Sequence, residues 1–205
     1  MTRRVAPRGH DSRHLLAQEA ARIMAEEGVG DFRFAKHKAA ERLGFDAHSL
    51  PMPTNVEVEA ALVERQRLFH ADSQPARLRQ LREIARAAMH LLNGFDARLV
   101  GPVLSGTADR HAIIYLHVFS DTPEQVAMLL MDKHIPYELS ARKLRSAAGV
   151  QREYPLYRFV AGDTPVELTV FAVDGIREAP CSPVDGKPMR RASLRDLDAM
   201  LATEN

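Results

Sequence analysis

Glu167 is the carboxylate whose surroundings look most suited to chemistry. It stands in P-V-E-L-T-V-F, residues 165–171. Successive side chains of a strand point to opposite faces. Val166, Leu168 and Val170 therefore face a core, and Glu167 shares the other face with Thr169. That face is either a site or the solvent side of an edge strand. Arg158, between the aromatic Tyr157 and Phe159, can pair with Glu167 across a sheet. Asp109, His111, His117 and Asp121 lie close together in sequence. By donor type, His111, His117 and Glu167 could take a transition metal, but their spacing matches no strong metal motif. The alternative is a partly buried, hydrogen-bonding His117 and a polar loop tip at Asp109, Arg110 and His111. Arg142, Lys143, Arg145 and Arg152 surround S-A-A-G, residues 146–149. They could meet phosphates or decorate a solvated hairpin.

A second stretch gives these residues a frame. Residues 100–118 read V-G-P-V-L-S-G-T-A-D-R-H-A-I-I-Y-L-H-V. This resembles the signature of the polymerase-β-type nucleotidyltransferase superfamily, in which a hydrophobic-Gly-Ser turn and a loop precede an Asp-hydrophobic-Asp strand that holds metal. Gly101 takes the glycine position and Gly106 that of a second loop glycine. Pro102 replaces the serine, and Ile113 and Tyr115 replace the two metal-binding carboxylates. The resemblance places Glu167 at the third carboxylate position, as the one catalytic candidate left. Hard cations want oxygen ligands. Ile113 offers none and a neutral phenol is a poor one, so the resemblance implies a scaffold without metal positioning, which supplies most phosphoryl-transfer catalysis. Pro102 also lacks the backbone N–H that could greet a phosphate.

The elements around this frame read as α+β: an N-terminal helical segment, then a mixed sheet with flanking helices. Ser12 can cap a helix through Met24, stopped by Gly28 and Gly30. Asp31 opens a second helix ending at Gly44, and Thr54 with Glu57 forms a capping box for a third. Gln74 and Pro75 begin a fourth, with Leu78, Leu81, Ile84, Ala85, Ala88 and Leu92 at helical spacing. Strands are expected at 97–104, 112–119, 136–141, 153–161 and 165–172, with Pro155 near a strand end or sheet edge. Thr122 as cap, Pro123 at the first helical position and Gln125 predict a helix that breaks at Pro136. Met24, Met128, Met131 and Met200 occupy core-like helical positions. Residues 179–188 form a turn-rich loop, and Ser193 caps a last helix. The division expected is a flexible tail over 1–10, a helical region over 11–73 and an α/β domain over 74–205.

Net charge of +1 on 205 residues does not support a wholly basic nucleic-acid binder. Cys181 is the single cysteine, so a reducing, cytoplasmic setting is expected, and no apolar run reaches membrane-spanning length. P-loop and G-x-S-x-G motifs are absent. Three functions follow. The first is a catalytically degenerate nucleotidyltransferase-like protein with a binding or regulatory role, its partner a nucleotide or a protein, and no cofactor. The second is an active enzyme using magnesium on Glu167 with Asp109 or Asp121. The third is a helical interaction module on an α/β scaffold.

Overall fold

The structure, a computed structural model, describes residues 9–46, 51–69, 74–109, 111–146 and 148–204. Residues 1–8 of the expected tail and Arg110 of the expected loop tip lie outside the described residues. The chain divides into two compact units, one within residues 1–72 and the other within 73–108 and 112–205; Asp109 and His111 group with the first.

The first unit is helical. α1 (Gly9–Glu27), α2 (Phe32–Leu43) and α3 (Asn55–Phe69) follow the local stop and start signals. Asp31 accepts the Phe34 N–H, and Gly44 closes α2 at φ 70°, which a side chain would resist. Thr54 and Glu57 exchange cap hydrogen bonds at the start of α3. The core sets Leu16, Ala20 and Ile23 of α1 against Ala35 and Ala39 of α2 and Val58 of α3. Alanine at these contacts lets helix axes approach closely. Phe34, Val56 and Leu68 are exposed on these helices.

The second unit is α+β. α4 (Gln74–Leu91) leads into β1 (Arg98–Val100), α5 (Pro102–Ser105) and β2 (Ile114–Phe119). Then come α6 (Glu124–Asp132), β3 (Glu138–Arg145), β4 (Gln151–Ala161), β5 (Thr164–Phe171) and α7 (Leu194–Thr203). The sheet order is β1-β2-β5-β4-β3. β2 and β5 run parallel, and the other pairings are antiparallel. One face carries Leu99, Ile114, Leu116, Val118, Val166, Leu168 and Val170 onto Leu81 and Ala85 of α4, Val126 and Leu130 of α6, and Leu197 of α7. This is the core that the alternation around Glu167 requires. No helix among the described residues is long and apolar enough to cross a membrane.

Several local expectations are corrected. The strand expected over 97–104 stops at Val100, because Pro102 begins a helical turn that Gly106 ends at φ 86°. Proline's fixed φ and missing N–H suit the first position of a helix better than a strand interior. Thr122 does not cap α6. The helix has no side-chain cap; the Ser120 hydroxyl accepts the Thr122 N–H at 3.2 Å and lies 2.9 Å from the Thr122 carbonyl and 3.2 Å from Gln125 Oε1, so Gln125 completes no box with Thr122. The helix ends at Asp132, ahead of Pro136, with His134 at φ 55° turning the chain. Met128 and Met131 are exposed, since Val126 and Leu130 take the buried face of this nine-residue helix. Pro155 lies one residue beyond the last β4–β5 partner, Leu156, where β4 has a neighbour on one side only.

Candidate functional site

The sheet face opposite the helices carries the polar residues. Register puts Tyr115 beside Glu167 and Glu167 beside Arg158, so three neighbouring strands meet in one row. β5 is an interior strand and Glu167 is 1% exposed, which removes the edge-strand alternative. Arg158 donates from Nε to Glu167 Oε1 at 3.0 Å, and its Nη2 binds the same oxygen. Arg142, reaching in from β3, places Nη2 2.9 Å from Oε2. That contact is ionic without hydrogen-bond geometry, because Oε2 has no hydrogen-bond partner. The Arg142 guanidinium also lies over the Tyr115 ring, 4.9 Å from its centroid. Arg142 is thus no ornament of a solvated hairpin: alternation aims it inward, and the carboxylate holds it.

The turn beside this row is closed in the same way. Gly101 has φ 71° and ψ −153°, a conformation essentially reserved for glycine. A Cβ there would come within 3.1 Å of Tyr115 Cδ2. The aromatic ring therefore occupies the space above the Gly101–Pro102 turn. Arg82 of α4, 8% exposed, fixes that turn from below by donating to the carbonyls of Val103 and Leu104 at 3.2 and 3.3 Å. Burial raises the Tyr115 phenol pKa, and the Glu167 charge adds to the rise. The Arg158 guanidinium pKa is raised by its hydrogen bonds to Glu167.

Farther along the face sits a second cluster. His117 is 3% exposed, and its Nδ1 accepts from Arg191 Nε at 3.0 Å. Arg191 Nη1 donates to the carbonyls of Gly175 and Ile176, and its guanidinium lies 5.0 Å from the ring centroids of both Phe119 and Phe171. Tyr154 stacks on Phe171 at 4.5 Å. Residues 172–192 thereby form a strap along this end of the sheet. Cys181 N–H bonds the carbonyl of Arg145 at the end of β3, Arg191 binds Gly175 and Ile176, and Ala192 exchanges two backbone bonds with Leu99 of β1. Sequence reasoning missed Arg191. The only clue was that a His117 buried by alternation needs a donor from somewhere.

Burial pushes the His117 imidazole down to about 3, with the Arg191 and Arg142 charges adding to it. Burial also lowers Arg191 to about 10. The unfolded chain takes a proton on His117 near 6.5, whereas the folded chain resists until about 3. Within that window the unfolded state binds more protons, so this contribution to stability is complete above 6.5 and is lost as pH falls toward 3. His117→Asn keeps an acceptor near the Nδ1 position but does not titrate. It is expected to flatten the fall in urea midpoint between pH 6.5 and 4, and equal slopes for both proteins would refute the assignment.

Tyr115, His117, Arg158 and Glu167 therefore share one face, with Gly101 against it. Ile113 lies just before β2 and is half-buried. Pro102 and Gly106 bracket α5. Asp109 and His111 belong to the first unit, where Asp109 accepts the His111 backbone N–H at 2.8 Å. Asp121 accepts the Val173 N–H at 3.0 Å. His111 groups with the first unit while His117 and Glu167 lie in the second, and no group of three metal-ligating side chains occurs among the described residues. What the row offers instead is a buried carboxylate engaged by two guanidiniums, beside the Tyr115 ring. Comparison with family models, with curated proteins and with solved structures finds no match, so these residues must speak for the chain on their own.

Proposed function

We propose that this chain is a nucleotidyltransferase-like protein that no longer carries out metal-dependent transfer and serves a binding or regulatory role, with a nucleotide or another protein as its partner. One observation carries the reading. Glu167, the single carboxylate at a position where the resemblance calls for metal ligands, is 1% exposed and engaged by Arg142 and Arg158. A carboxylate so occupied would have to break two charge contacts before it met magnesium, and the other two positions supply a branched aliphatic side chain and a phenol. The Tyr115 ring above Gly101 points the same way, because it fills the approach to the turn.

The test is direct. Purified protein with magnesium or manganese and each ribonucleoside triphosphate, labelled on the α-phosphate, is expected to give no transfer to tRNA, protein or small hydroxyl acceptors. Divalent-dependent incorporation by the wild-type protein would overturn the reading. A second reading, the first unit as a docking module, draws on Val56 and Val63, seven residues apart on α3 and about half exposed. Residues at that spacing share a helix face.

A further inference from the structure

We propose that the Arg142–Glu167–Arg158 group is a metal-independent site for a phosphorylated ligand carrying at least two phosphates. The proposal deepens the reading above, since it rests on the chain having kept a ligand-binding face after losing cation chemistry. Its physical basis is that the guanidiniums hold the positions where positive charge is needed to meet phosphate.

The layering of the group sets its polarity. Glu167 lies at the bottom at 1% exposure, and its Oε2 is fully buried. Arg142 and Arg158 sit above it with side chains 33% and 47% exposed. An approaching ligand therefore meets the two guanidiniums before it meets the carboxylate that anchors them both. Two guanidiniums against one carboxylate leave a net charge of +1. Of the other charged groups facing this row, Glu138 acts on Arg158 directly and offsets part of that charge. Glu138 is opposite Arg158 in register and exposed, while Arg98 is tied to Asp96 at 2.7 Å.

Donors remain for a ligand. The contacts to Glu167 use Nε and Nη2 of Arg158 and Nη2 of Arg142, leaving Nη1 of each outside the ion pair. The planar guanidinium fork matches phosphate oxygens, and its hydrogen bonds to an anion are stronger than neutral ones. Both side chains are already ordered, Arg158 by two bonds to one oxygen and Arg142 by Glu167 and the Tyr115 ring. Ordering two long side chains is a cost most phosphate sites meet on binding, and here folding has met it. Two guanidiniums around one carboxylate suit a diphosphate better than a single phosphate, with one phosphoryl group for each.

Titration calorimetry with inorganic pyrophosphate and with ATP, in EDTA at low salt, tests this on the whole chain. Saturable binding without divalent ion is expected, weakening as salt rises. Arg142→Gln and Arg158→Gln should each weaken it by about tenfold or more, the usual scale for one charged hydrogen bond. Lys143→Gln should leave it unchanged, because Lys143 is one residue along β3 and so faces the other side. Should an arginine variant fail to fold, the wild-type protein still decides. Pyrophosphate should protect Arg142 and Arg158, and not Arg190, from phenylglyoxal, read by peptide mass spectrometry. No saturable binding in EDTA, a requirement for magnesium, or absence of protection would overturn the proposal. Binding of adenosine but not pyrophosphate would overturn it while sparing the broader reading, whereas magnesium-dependent transfer would sink the broader reading.

Discussion

Glu167→Ala is expected to lower the stability of the second unit by about 2–3 kcal/mol, toward the low end for breaking a buried ion pair because both arginine partners keep some solvent. The substitution leaves Arg142 and Arg158 close together with no anion between them, and it opens a void beside the Tyr115 ring. A carboxylate reserved for metal behaves in the opposite way. With no cation bound it is a buried charge without a partner, and its removal relieves the fold. The sign of the change therefore separates the two roles. All four tyrosines, Tyr115, Tyr137, Tyr154 and Tyr157, lie in the second unit, and the chain has no tryptophan. Tyrosine fluorescence during urea unfolding thus reports that unit alone. An unchanged or higher midpoint for Glu167→Ala would remove the ion-pair account. Glu167→Gln, which keeps the shape and one acceptor, should fall between the two proteins.

The sequence revealed the fold wherever the signal was local. Asp31 and Gly44 bound α2, Thr54 with Glu57 opens α3, and Ser193 with Asp196 opens α7, because caps are exchanges among residues a few positions apart. Alternation in 165–171 also carried through, since one face of β5 must meet the helices. Misreadings arose where a short element gave too little periodicity. Four residues of α5 looked like a strand continuation, and nine residues of α6 could not say which side Met128 and Met131 would take. Thr122 leaves α6 without a side-chain cap, and the Ser120 hydroxyl at the end of β2 holds the Thr122 backbone instead.

The site was legible in part for the same reason. Arg158 and Glu167 are cross-strand neighbours on adjacent strands, so their meeting followed once both strands were read. Arg142 is on β3, with β4 between it and Glu167, and strand order alone brings it in. Nothing local distinguishes it from Lys143 or Arg145 except parity. Asp109 and Asp121, the replacement ligands considered, are near Tyr115 in sequence, but Asp109 holds the His111 N–H and Asp121 the Val173 N–H. Proximity along the chain is a poor guide at the ends of a strand, where the backbone turns away.

Arg191→Ala should cost about 2–3 kcal/mol, the sum of leaving a buried acceptor unpaired and removing the cation–π attraction to two rings. The guanidinium joins several parts of the second unit. It satisfies His117 Nδ1, anchors the carbonyls of Gly175 and Ile176, and covers Phe119 and Phe171, which are 4% and 3% exposed. The net effect is limited because the native protein already tolerates a cost: Arg191 Nη2 is buried without a partner, and desolvation lowers the pKa of the group. Lysine should recover little, since one ammonium cannot reach three acceptors and lie flat between two rings. The loss should begin locally. With the latch gone, Cys181 and Ala192 still hold the later part of the strap, but the stretch before Cys181 loses the bonds at Gly175 and Ile176 and loosens. Trypsin should then cut after Arg177 faster than in the wild-type protein, before the tyrosine signal changes. If cleavage at Arg177 and the urea midpoint both stay at wild-type values, Arg191 does not hold the strap, and the order of this end of the sheet must come from the aromatic stack of Tyr154, Phe171 and Phe119 alone.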